Sequence, residues 1–198
     1  MLKLWRVFLL LFSKLPKIRD CFAKSLKQRT FIKTSFLLIP NKTYTVSEAT
    51  KKLEHYCAYQ ERCYKEVQKK LYEMRMIPEV IDQILLHLST NNFLDESRFA
   101  QAFARGKFKN KKWGKQRIVR ELKFRKISKY NIQLALKEIS ESDYFATFHT
   151  LAEKRFKQVA SEKNLQKKRK KLADYLLYRG WESSLVYDKV RELVIPKP

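Results

Sequence analysis

Apolar residues recur at helical spacing through most of the chain beyond residue 45, and residues 91–138 show the pattern in full. Asp95 stands just before an apolar-periodic segment, where its carboxylate can accept the orphan amide bonds of a first helical turn. Phe99 and Phe103 follow four residues apart and share a face. Gly106 and Gly114 bracket a highly charged stretch, which reads as a connection. A second helix aligns Ile118 with Leu122. Ser128 is the predicted N-cap of a third, which aligns Ile132 with Leu136. Each helix carries one narrow apolar stripe that needs covering, and three such stripes cover one another in a three-helix unit.

The same pattern occurs on either side. Upstream, Ser47 is the expected N-cap and Glu48 a first-turn acid, followed by Leu53, Tyr56 and Tyr59 along one helical side. Val67 and Leu71 mark a second helix. Pro78 suits the first turn of a third, with Ile81 and Leu85 on its core face and Asn91-Asn92 closing it. A shift of 51 residues places Val67 on Ile118, Leu71 on Leu122, Met76 on Ile127, Ile81 on Ile132 and Leu85 on Leu136. That register crosses a helix-to-helix turn without a gap, which a generic amphipathic helix would not maintain. Downstream, Phe145, Phe148 and Leu151 suggest another first helix, and Lys167-Lys168-Arg169-Lys170-Lys171 reads as part of a long polar connection. A shift of 54 places Leu122 on Leu176, Ile127 on Trp181, Ile132 on Val186 and Leu136 on Val190, with Gly180 at a left-handed helix end. The expected fold is all-α: three tandem three-helix repeats, at 46–94, 95–140 and 141–198, forming an elongated, curved array. Residues 1–45 form an N-terminal extension or arm.

That arm differs from the repeats. Residues 4–12 are nearly all apolar but broken by Arg6, too short to span a bilayer and without a small-residue cleavage site after Phe12. Lys14, Lys17, Arg19, Lys24, Lys27 and Arg29 follow as a basic tract. The segment suits a membrane-surface anchor, a polyanion-binding arm, or an upstream extension from a misassigned start. Cys21, Cys57 and Cys63 form neither a CxxC pair nor a disulfide framework, and are expected to be reduced residues of a cytoplasmic protein.

Charge adds a functional constraint. The 198 residues carry a formal net charge of +24, which calls for a polyanionic partner: nucleic acid, an anionic membrane surface or an acidic protein groove. The distribution is uneven. Residues 1–46 sum to +9, 47–94 to 0, 95–140 to +10 and 141–198 to +5. The second unit is therefore the basic centre. Arg105, Lys107, Lys109, Lys111 and Lys112 load its first half; Lys115, Arg117, Arg120 and Lys123 load the next helix, with Trp113 between them. Trp113 suits base stacking or a protein anchor, and equally a cap on the core. Phosphate contacts from such a patch would be salt-dependent and largely indifferent to sequence. No GxxxxGK[ST] or HExxH motif occurs, and His55, His87 and His149 stand apart. No catalytic residues, cofactor or metal are expected, and the protein is not expected to be an enzyme.

Tyr56-Cys57-Ala58-Tyr59-Gln60-Glu61-Arg62, Asn92-Phe93-Leu94-Asp95-Glu96-Ser97-Arg98-Phe99-Ala100, and Trp113-Gly114-Lys115-Gln116-Arg117-Ile118 with Glu121-Leu122 resemble the RecX family. The resemblance spans roughly residues 46–194, is strongest over 54–138, and leaves out residues 1–40. It implies three tandem three-helix repeats and a non-enzymatic regulator of the RecA recombinase in DNA repair and the SOS response. Such a protein binds in the groove of the RecA–single-stranded DNA filament and restrains it. The filament is the implied partner, with single-stranded DNA contacted directly or through RecA, no small-molecule substrate, and a monomeric state. Arg98, Arg105, Lys111, Lys112, Lys115, Arg117 and Arg120 are the candidate contact residues, chosen as a patch on their charge and position. The alternative is a sequence-tolerant nucleic-acid-binding helical protein.

Overall fold

Each repeat is built on local signals that hold its helices in place. The computed structural model describes residues 43–194, and the readings of the N-terminal arm and Cys21 lie outside them. Among the described residues there are nine α-helices and no strand. The first unit holds α1 (Val46–Tyr59), α2 (Tyr64–Glu73) and α3 (Pro78–Thr90). The second holds α4 (Glu96–Lys111), α5 (Lys115–Phe124) and α6 (Lys129–Lys137). The third holds α7 (Glu141–Gln158), α8 (Leu165–Tyr178) and α9 (Ser183–Leu193). Asp95 and Ser128 cap α4 and α6 as expected, accepting from the amides of Arg98 and Asn131. Pro78 opens α3, and Asn91 and Asn92 close it, Asn92 with φ 65°.

Several local expectations are corrected. The cap of α1 is Thr45, not Ser47. Thr45 Oγ1 accepts from the Glu48 amide at 3.2 Å, and the Glu48 carboxylate accepts from the Thr45 amide at 2.9 Å. This reciprocal box needs an acid three residues after the cap, which Ser47 lacks. Gly106 does not border a connection. It lies inside α4, because the buried series Phe99, Ala100, Ala104 and Phe108 continues the helical period through it. The connection shrinks to Lys112–Gly114. The basic run 167–171 likewise belongs to α8, where Leu172, Ala173 and Leu176 bury the face beyond it. Tyr59 and Phe145 point outward; Cys57 and Tyr144, one or two positions away, take the core sites.

The repeat arithmetic is visible in three dimensions. The shift of 51 carries α2 onto α5 end to end. Val67, Ile118 and Leu172 are all fully buried, as are Leu71, Leu122 and Leu176. Between the second and third helix of each unit stands one left-handed residue: Arg75 at φ 62°, Lys126 at φ 62° and Gly180 at φ 84°. The three positions are related by the same shifts of 51 and 54. The cores, however, are two rather than three. The first unit has its own, built on Leu53, Leu71, Ile81 and Leu88. The second and third units share one, in which Phe108 stacks on Tyr144 (ring centroids 6.0 Å apart) and Tyr144 on Trp181 (4.6 Å).

Candidate polyanion-binding face

The corner between α4 and α5 packs against the shared core and is tied down by the third unit. The first amides of any helix lack acceptors within it, and at the N-terminus of α5 the third unit supplies them. The Gly114 amide donates to the Arg179 carbonyl at 2.9 Å, and that of Gln116 to the Gly180 carbonyl at 3.2 Å. The Lys115 amide donates to the Tyr144 hydroxyl at 3.1 Å, which in turn donates to the Glu182 carboxylate at 2.7 Å. Burial, reinforced by this bond to Glu182, pushes the Tyr144 phenol far above its usual range. The backbones touch here: a Cβ on Gly114 would lie 2.2 Å from the Gly180 carbonyl oxygen, and one on Gly180 would lie 2.3 Å from the Arg117 Cβ. Two glycines at one contact allow α5 to seat against the end of α8.

On this fixed base the seven candidate residues divide. Arg98 is engaged within the fold. Its side chain donates to Glu61 at 3.1 Å and to the Asn92 carbonyl at 2.6 Å, joining the first unit to the second. Arg105 donates to Glu138 at 2.8 Å, tying α4 to α6. Lys115 lies with its ammonium 4.6 Å from the centre of the Tyr144 ring. Arg117 is clasped between Trp113 (4.1 Å) and Tyr178 (4.6 Å) and donates to the Tyr178 carbonyl at 2.9 Å. Lys111, Lys112 and Arg120 are exposed. Arg120 lines a shallow depression with Lys115, Gln116, Val119 and Lys123. The exposed cations are therefore Lys111 and Lys112 at the end of α4 and Arg120 and Lys123 on α5, with Lys115 half-buried beside them. Trp113 is half-buried and packs edge-on to Phe103, serving as the cap on the core.

Reading by charge missed residues that organise the joints. Arg125 lies 2.9 Å from Glu121 and 3.5 Å from Glu66, with its guanidinium 4.8 Å from the centre of the Phe103 ring. Lys65 donates to the Phe124 carbonyl at 3.0 Å. Arg179 donates to the Lys111 carbonyl and covers Tyr175. One sequence signal was present: the shifts of 51 and 54 align Met74, Arg125 and Arg179, and an arginine at a position buried as methionine in a sister unit is a structural arginine. Among the described residues no cluster of side chains is suited to holding a metal ion, and no helix is long and apolar enough to cross a membrane. Burial raises the Cys57 thiol to about 11 and also raises Cys63, and both cysteines are free.

Family models for the second and third three-helix domains of RecX match residues 95–136 and 141–190. A regulatory protein RecX from Yersinia enterocolitica is 34% identical over 104 residues, covering 52% of this chain and 60% of that protein. Another, from Limosilactobacillus reuteri, is 25% identical over 152 residues, covering 77% of this chain and 57% of that one. The chain thus spans less than two thirds of the length of these relatives. The crystal structure of RecX from Lactobacillus salivarius shares the fold with a TM-score of 0.62 at 23% identity, covering 75% of this chain and 96% of that one.

Proposed function

We propose a function from the premise that this chain belongs to the RecX family of regulatory proteins: it restrains the RecA recombinase without catalysis, by lying in the groove of the RecA–single-stranded DNA filament and bridging adjacent subunits. The observation that carries this reading is the α4–α5 corner. Its cations are mounted on a backbone fixed by three hydrogen bonds that its amides donate to a neighbouring unit. Charges held in place lose less freedom on binding than charges on a mobile loop. A groove that presents acidic protein surface and nearby phosphate complements them.

The test is co-sedimentation of the full chain with pre-formed RecA–single-stranded DNA filaments, beside DNA alone at the same salt. Preferential binding to filaments is expected. A variant carrying Lys111→Glu, Lys112→Glu and Arg120→Glu changes only exposed positions, so it is expected to fold and to lose filament binding. Normal binding by that folded variant removes the assignment of the face. Equal binding to bare DNA favours the second reading, a sequence-tolerant nucleic-acid-binding helical protein, which the exposed cations of α5 would serve as well.

A further inference from the structure

Tyr178 ends α8 with 68% of its surface exposed, against the basic second unit through Arg117 of α5. Exposure of a large ring is common and by itself says little. This ring, however, is the outer layer of a stack. Behind it lies the Arg117 guanidinium, 4.6 Å from its centre, and behind that lies Trp113, 4.1 Å from the same guanidinium. The bond from Arg117 to the Tyr178 carbonyl fixes the order of the layers. Next to the stack, Arg179 is pinned to the Lys111 carbonyl, so the end of α8 meets the basic last turn of α4, which carries Lys109 and Lys111. Other exposed rings lack this setting. Tyr59 belongs to the neutral first unit, and Phe124 is covered by the Lys65 ammonium at 3.9 Å.

We propose that the outer face of Tyr178 is a stacking platform for an unpaired base of single-stranded DNA, with the cations at the end of α4 attracting the strand's backbone. A nucleotide supplies a flat π-face for the ring and a negative charge for the cations of the neighbouring helix end. Duplex DNA offers the charge but keeps its base faces occupied. This deepens the reading above and rests on it for the setting, since a filament on single-stranded DNA is where such bases would be met.

The experiment measures binding of the full chain to three fluorescent oligonucleotides of equal length at one salt concentration: oligo-dT, an abasic strand and a duplex. Oligo-dT is expected to bind about 5- to 100-fold more tightly than the abasic strand. Tyr178→Ala should bring oligo-dT down to the abasic level and leave abasic binding unchanged, whereas Tyr178→Trp should keep the preference. Should Tyr178→Ala fail to fold, Tyr178→Leu, which keeps the bulk without the π-face, replaces it. Equal binding of oligo-dT and abasic strand by the native chain overturns the platform, as does a preference that survives in a folded Tyr178→Ala or Tyr178→Leu. Filament co-sedimentation separates the two readings. A base preference without filament binding keeps the platform and removes the RecA reading; filament binding without a base preference does the reverse.

Discussion

Gly106 and Gly114 carry different burdens, and substitution by alanine separates them. At Gly114 the added methyl would meet backbone atoms of Gly180 at 2.2 Å, and backbone has no way to swing aside. Gly114→Ala is therefore expected to lower stability by about 2–4 kcal/mol in urea titration, through strain at the contact between the second and third units. At Gly106, mid-helix in α4, nothing lies within 4 Å of the new carbon. Gly106→Ala is expected to raise stability by about 0.5–1 kcal/mol, because alanine loses less backbone freedom on entering a helix. The buried thiols and phenol set a pH dependence with one sign. Burial lifts Cys57 from 9.0 to about 11, and Cys63 and Tyr144 shift upward as well. The unfolded chain releases these protons first, so between pH 9 and 11 it binds fewer protons than the native state, and stability falls as pH rises. Urea midpoints at pH 8 and 10.5 should show the drop, with a smaller one in Cys57→Ala.

The turn between the second and third helix of each unit solves one problem with three residues. Arg75, Lys126 and Gly180 all have positive φ, yet only glycine does so without steric cost. Lys126→Gly is expected to gain up to about 1 kcal/mol in thermal or urea melts, the relief of the left-handed strain less the added entropy of the unfolded chain. Gly180→Lys should lose more than that, since its side chain would also collide with Arg117. These turns show what was readable in advance. The spacing of Val67, Leu71 and Ile81 and their counterparts fixes helix type and repeat register, because a buried stripe must be apolar wherever it faces a core. The helix ends were harder. Ser47 and Thr45 are both capable caps, and only the partner three residues on decides between them. Gly106 and the basic run 167–171 look like breaks because glycine and like charges weaken helices locally, while the tertiary burial of Phe108 and Leu172 overrides both. Of the seven candidate contact residues, Arg98, Arg105 and Arg117 are engaged inside the fold. A formal charge in a sequence does not say whether an acid, a ring or a carbonyl elsewhere in the fold has already claimed it.

The joints between units differ in kind. The second and third are fused by Phe108, Tyr144, Phe148 and Trp181 in one core. The first meets the second through one buried side chain, Cys63, which joins the shared core, and otherwise through the pairs Arg98–Glu61 and Arg125–Glu66 and through Lys65 on Phe124. Partly exposed pairs of this kind contribute little each, and less in salt. Hydrogen exchange should therefore show Leu71 and Ile81 opening independently of Ile118 and Leu172. Trp181→Ala is expected to cost about 3–5 kcal/mol and to lower protection across both the second and third units while sparing the first. Equal loss of protection in all three would refute the two-core description. The shared core also imposes an order on synthesis. As the chain leaves the ribosome, the first unit has every side chain of its core by the time Leu94 emerges, and it can fold alone. The second unit has no such freedom: the rings that complete its core arrive with Tyr144, Phe148 and Trp181, so during elongation it waits, incompletely buried, for the last third of the chain.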